Sequence, residues 1–291
     1  VLKLHIATVL SLMTTPYIFS LLFFALLGIN NVYAHNLKPI PPKIAAEILP
    51  HTPYLAHTFE WSANCTAAYK AIMSLQLDKG KQWIESEKTK NPHNLLPLLL
   101  EDYIDLFVIF ISEDPVLFKQ LETNKAKRLN AIDKAAPKSP YYRYVKAEIN
   151  LHWAVSRLKF EEYFTAFKEV RTAYQLLNDN HAQYPNFYPN LKTLGLIHAL
   201  VGTVPSKYKW GISLLGLSGN LQSGLDELAL FVQEAQYNPD QSFYEEGLLI
   251  QIFLVAYLQN KPQEAWKMAA QLPTKQHLLN VFVAADMALR A

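Results

Sequence analysis

The amino-acid sequence predicts an all-α protein, a superhelix of antiparallel helical hairpins. Three observations predict it. Apolar residues recur at three-and-four spacing from Phe59 onward, which is the period of a helix with one buried face. Gly is scarce, at 9 of 291 residues, and the turn clusters that would separate the strands of a sandwich or barrel are missing. Pro, often behind Asp, Ser or Asn, punctuates the periodic runs at short intervals, so the connections are brief and neighbouring helices run antiparallel.

Taken in order, residues 59–77 place Phe59, Cys65, Ala68, Tyr69, Ile72, Met73 and Leu75 on one helical face. Residues 79–90 form a more polar helix around Trp83 and Ile84, closed by Asn91-Pro92. A strongly apolar helix covers 94–112. The next, 114–135, is entered by Asp114-Pro115: the Asp accepts an orphan N–H, and Pro has none to satisfy. Ser139-Pro140 opens 140–158, and 160–180 follows as a long amphipathic helix. Pro185 and Pro189 lead into 189–202, which ends at Gly202, and Pro205 precedes a shorter helix over 206–216. Ser218-Gly219-Asn220 opens 220–236, Asn238-Pro239-Asp240 opens 241–259, and Lys261-Pro262 opens 262–271. The last helix, 275–290, lacks a C-cap signal, so the chain is expected to continue past Ala291. These twelve helices make about six hairpins.

Composition narrows the function classes. With 51% apolar and 18% charged residues the chain buries a sizeable core. Its 27 basic and 25 acidic residues leave a net charge of only +2 with no long single-sign block, so nucleic acid is excluded as the main partner. At the N-terminus, Lys3 is followed by an uncharged apolar stretch, densest over Tyr17–Ile29, that ends in Val32-Tyr33-Ala34. This is the layout of a secretory signal peptide over 1–34, cleaved before His35, and it predicts export to a periplasm, cell envelope or medium. The competing reading is an uncleaved membrane anchor, which would then be the chain's membrane contact. The sequence opens on Val1, and Met13 is a candidate start. A Pro-rich linker (35–58) connects the leader to the helical domain, 59–291. Cys65 is the single cysteine, so no internal disulfide framework exists; on its helical face it reads as a small buried hydrophobe.

A repeat signal overlies the hairpins. Small residues recur where a second helix must cross closely over a first: Gly80 with Ile84 and Pro92, Ala166 with Val170 and Ala173, Gly219 and Gly224 with Leu228 and Phe231, and Ala265 with Ala269 and Leu272. In this spacing residues 60–291 resemble the tetratricopeptide superfamily, whose Trp, Leu-Gly and Tyr positions are mostly not matched. The stretch Tyr208-Lys209-Trp210-Gly211 through Gly216, Gly219 and Gly224-Leu225 looks like the corresponding part of a eukaryotic tetratricopeptide family linked to inclusion clearance. The resemblance implies a superhelical scaffold that binds a protein segment.

Chemistry is sparse. Gly219 to Gly224 has the spacing of a phosphate loop, but Leu225-Asp226 stands where Lys and Ser/Thr are needed, so it reads as a helix–helix turn. The nine His residues form no zinc motif; Glu148 and His152 share a helical face, and His198 reads as a hydrogen-bonded core histidine. Glu101, Asp102 and Asp105 form one polar stripe on an apolar helix, read as a solvated face or a hairpin salt bridge, with a glycosidase pair as the alternative. Aromatics cluster at Tyr141, Tyr142 and Tyr144 and again at Tyr184, Phe187 and Tyr188, as wedges between hairpins or as anchors for a ligand. The expected protein is a non-enzymatic scaffold or adaptor with no metal and no cofactor, and its expected groove uses Tyr188, Lys192, Tyr208 and Trp210. A glycan-binding or glycan-cleaving surface protein and a structural envelope component are the other classes weighed.

Overall fold

The computed structural model describes residues 57–135, 138–204, 212–213, 216–237, 243–273 and 277–291. Its 11 helices hold 78% of these residues, and no strand occurs among them. They are α1 (Ala63–Met73), α2 (Leu77–Lys90), α3 (Leu96–Ser112), α4 (Pro115–Ile132), α5 (Pro140–Lys159), α6 (Tyr163–Gln183), α7 (Pro189–Gly202), α8 (Leu221–Gln236), α9 (Tyr244–Tyr257), α10 (Pro262–Ala269) and α11 (Leu278–Arg290). The stretches expected to be a signal peptide (1–34) and, apart from its last two residues, a linker (35–58) lie outside the described residues. So does most of the helix expected over 206–216.

Local chemistry sets the helix starts. The carboxylate of Asp114 accepts from the backbone N–H of Val116 at 2.8 Å, with Pro115 in the first turn. Ser139 accepts from Tyr141 N–H, and Asn220 from Ser223 N–H. The first helix is shorter than the periodicity predicts. It begins after Ser62, which caps Cys65 N–H, because residues ahead of it are extended. Thr58 there pairs with the chain around Asn94, donating to His93 O (2.9 Å) and accepting from Leu95 N–H (2.8 Å). Phe59 and Trp61 therefore reach the core by strand-like alternation. Glu87, fully buried, receives hydrogen bonds from Ser62, Asn64, Asn91 and Asn94, which fastens this extended segment to both helices of the first hairpin.

Four of the turns that join an odd helix to the next even one carry a non-glycine residue in the left-handed conformation: Leu75, Glu113, Glu161 and Asn260. This shared turn is a structural repeat that side-chain identity hides. Each odd helix packs on its successor, and also on the odd helices before and after it: α1 on α3, α3 on α5, α5 on α7, and α7 on α9. The result is a stack of hairpins with the odd helices as one wall. Its core runs from Cys65 and Ile72 through Leu99, Tyr144 and Trp153 to Leu228, Phe231 and Phe243. A smaller cluster, with Ile252, Ala265 and Met287, serves the last three helices. The closest approach is between α7 and α8, where a Cβ placed on Gly224 would fall 2.4 Å from both Ala199 N and Gly195 O. Among the described residues no helix is long and apolar enough to cross a membrane.

Candidate functional site

The wall of odd helices carries a buried charge network. Lys192 of α7, 1% exposed, donates to Glu148 of α5 and to Glu246 of α9, each at 2.7 Å. Thr193 donates to the other oxygen of Glu148, and the hydroxyls of Tyr103 (2.7 Å) and Tyr69 (3.3 Å) donate to Glu246. The Lys192 ammonium also lies 4.9 Å from the ring of Phe243, a geometry that favours a cation over the aromatic face. Burial by itself raises the Glu148 carboxyl, yet the Lys192 ammonium, with His152 and Thr193, brings it below the ordinary carboxylate range. For Lys192 burial works against the charge and the two carboxylates win, so its affinity for the proton is raised. Burial pushes the phenols of Tyr69, Tyr103 and Tyr144 well above their usual value.

Aromatic edges surround this network. Phe243 meets Trp61, Tyr69 and Tyr144 edge-on with centroids 5.2–5.5 Å apart. Phe243 is fully buried at the N-cap of α9 with φ +61°, a conformation rare for a bulky side chain outside a helix C-terminus. Through it the first hairpin touches the fifth. The contact continues where Ser74 Oγ lies 3.2 Å from His277 Nδ1, ahead of α11.

A second network joins α3, α4 and α5. Asp102, its side chain fully buried, accepts from Arg128 (2.9 Å) and Trp153 Nε1 (3.0 Å), and stands 2.9 Å from His152 Nδ1. Arg128 also reaches Asp105 at 2.7 Å and Glu101 at 3.7 Å, and Lys88 takes the other oxygen of Glu101 at 2.6 Å. The acidic stripe is thus an interhelical salt-bridge cluster rather than a solvated face. A cleft of about 340 Å³ beside it is lined by Leu98, Glu101, Asn124, Lys127 and Arg128. Among the described residues no group of three or more His, Cys, Asp or Glu is arranged to hold a metal ion.

Of the four groove residues expected from the sequence, Tyr188 and Lys192 fall among the described residues. Tyr188 is half-buried against the core at the start of α7, and Tyr208 and Trp210 lie outside the described residues. Lys192 points inward; both of its carboxylate partners belong to the protein, so its charge is not offered to a ligand from solvent. The small residues sit at crossings. An added Cβ would lie 2.7 Å from Ile72 Cγ1 at Gly80 and 2.5 Å from His198 Cα at Gly219. Ala166 packs with Ala154 and Leu158, and Ala265 is fully buried beside Ile252. His198 is partly buried, with Nδ1 2.6 Å from Glu227. Sequence reasoning passed over Glu246 and Phe243. The only available signal was an acidic pair, Glu245-Glu246, at the mouth of an apolar helix.

Where α1 meets α9 a smaller pocket of about 120 Å³ opens, with Trp61, Tyr69, Lys70, Tyr244 and Leu248 among its lining residues. The two pockets differ in kind: the larger is walled mostly by polar and charged side chains, the smaller by aromatic and aliphatic surface together with Thr66, Lys70 and Glu245. No family model matches this chain, and neither a curated protein nor a solved structure is found to match it.

Proposed function

We propose that this chain is a degenerate helical-repeat scaffold of the tetratricopeptide kind, exported by its N-terminal leader, that binds a protein segment without transforming it. The observation that carries this reading is the state of the acidic groups. Glu101, Asp102, Asp105, Glu148 and Glu246 are each held by the protein's own side chains, from Arg128, Lys88 and Lys192 to His152, Trp153, Asn124, Tyr69, Tyr103 and Thr193. A glycosidase needs one carboxyl free to give a proton and another free to attack or activate water. Here Arg128 draws the three carboxylates of α3 together instead, which speaks against the glycan-cleaving alternative. Rigid stacking of hairpins, by contrast, presents side chains at fixed spacing at little ordering cost, which is what a binding surface needs. Export rests on the Lys3–Ala34 leader.

The test is chemical cross-linking of the whole chain in its native envelope fraction, followed by identification of the linked peptides. A discrete protein partner, retained when Glu101→Gln and Asp105→Asn are introduced, supports the scaffold. Glycan turnover that either substitution abolishes, or the lack of any cross-linked protein, overturns it.

A further inference from the structure

The last helix turns its polar side chains back onto the protein and leaves an apolar stripe outside. Asn280 of α11 donates to Glu245 of α9 at 2.5 Å, and Asp286 accepts from Tyr257 of α9 at 2.7 Å. Arg290 pairs with Asp286 at 3.1 Å, its guanidinium 4.6 Å from the Tyr257 ring. His277, at the N-cap, faces Ser74 and Glu245. The stripe consists of Leu278, Val281, Phe282, Ala285, Ala288 and Leu289, none of them polar. Leu278, Val281 and Leu289 are 48%, 44% and 89% exposed; the two alanines are exposed with them, and Phe282 is half-buried. A surface helix ordinarily shows its polar face to water and hides its apolar one. The other large apolar side chains in solvent are spread on or beside α2, α4, α5, α6 and α8, where single exposed residues are normal. α11 is also the odd helix with no even successor packed on it among the described residues.

We infer that this stripe is the contact of a symmetric dimer, in which α11 of a second copy lies antiparallel on it and takes the place an even helix fills in the other hairpins. The stripe recurs at Leu278, Val281 with Phe282, Ala285, and Ala288 with Leu289, the heptad spacing that keeps one seam between two helices. A two-fold axis through Ala285 sets Val281 against Leu289 of the other copy, and Phe282 against Ala288. The ring thus meets a methyl group, and Ala285 meets itself where the two axes come closest. No charge enters the seam, so like charges do not oppose one another across the axis. A patch that matches itself under a two-fold rotation fits a second copy in particular. α11 has 13 residues and is about 20 Å long. One such helix from each copy buries less than the about 1,200 Å² of a standard interface, so the dimer is a weak one, half-formed at about 10–100 µM. The inference goes beyond the scaffold reading and does not depend on it.

The experiment is analytical ultracentrifugation of the whole chain over concentrations spanning that range, where the mass is expected to climb from monomer towards dimer. Leu289→Glu and Val281→Lys, at exposed positions that leave the helix content intact by circular dichroism, are each expected to weaken association about a hundredfold, because each change enters the seam twice. An equal mixture of the two variants is expected to recover association to within about fivefold of wild type, since the new carboxylate of one copy then lies against the new ammonium of the other. Ala285→Cys is expected to give a disulfide-linked dimer on mild oxidation. Leu278→Cys, on the same stripe, is not, because the two copies of that position stand about 21 Å apart along the seam. A mass that stays monomeric throughout overturns the proposal. So does association that neither charge variant weakens, which puts the contact elsewhere, or a mixture that fails to recover, which excludes the antiparallel register. If the Ala285→Cys thiol of the dilute monomer is shielded from maleimide, another stretch of this chain is the occupant and the dimer is likewise overturned.

Discussion

Lys192 is the residue on which the inner wall depends most. Replacing it by Met leaves the buried carboxylate of Glu148 with no ammonium, and Glu246 loses its share too. Removing one partner of a buried pair costs about 3–5 kcal/mol, so Lys192→Met is expected to lower the urea midpoint at neutral pH by that equivalent. The pH dependence follows from the signs. Glu148 ionises below its usual 4.5 in the folded chain, so its contribution is present above that pH and fades as pH falls through the lower folded value. Lys192, raised above 10.5, contributes below that pH and ceases to do so as pH rises past its folded value. Without Lys192 the burial of Glu148 dominates and its pKa moves up instead. The variant should then gain stability as pH drops from 7 towards 5, where wild type stays level, a difference that urea titrations at several pH values will read. Cys65 offers a second check at this scale. Burial lifts its thiol to about 11, so at pH 8 alkylation by iodoacetamide should await unfolding; rapid labelling of the native chain would contradict the buried position.

Among the elements, the α7–α8 pair is the most exacting. Gly224 faces backbone atoms at 2.4 Å, which cannot swing aside as a side-chain tip can. Gly224→Ala must push the two helices apart and is expected to cost about 3 kcal/mol. Gly216 is the control: its surroundings are open and only its φ of +69° opposes a side chain, so Gly216→Ala should cost about 1 kcal/mol. Equal losses in chemical denaturation would mean that the crossing has room for a methyl group. The same elements show what the sequence makes legible. The starts at Asp114-Pro115, Ser139-Pro140, Pro189 and Pro262 are readable because capping and the missing proline N–H are decided within one turn. The extended entry at 57–62 is not, since Phe59 and Trp61 fit a helical face as well as an alternating one. The charge network is less legible still. Lys192 reads as a lone cation in an apolar run, and its partners stand 44 and 54 residues away in the chain. The repeated left-handed turns escape notice because Leu75, Glu113 and Glu161 are residues that rarely adopt that conformation.

For the whole molecule, contact between the first and fifth hairpins changes how the stack behaves. An open array of hairpins loses its ends first, because each unit holds only its neighbours. Here Trp61 meets Phe243, Tyr69 reaches Glu246 and Ser74 reaches His277, so α1 is held from both sides. Hydrogen exchange is expected to give α1 amides protection equal to that of α5. The double variant Trp61→Ala, His277→Ala should lower the protection of α1 by about 2 kcal/mol and leave α5 nearly unchanged. Loss spread evenly over both helices would mean that the seam does not act as a separate fastening. The bond from Tyr69 to Glu246 spans 177 residues of chain, which also sets a delay during synthesis. A ribosome adding about 5–20 residues per second needs roughly 9–35 s between the two positions. For that interval the rings of Trp61 and Tyr69 have been made and the Phe243 that covers them has not. The newborn chain thus carries a bare aromatic face for many seconds, long enough for holding factors to find it, and the last hairpins end that exposure when they emerge.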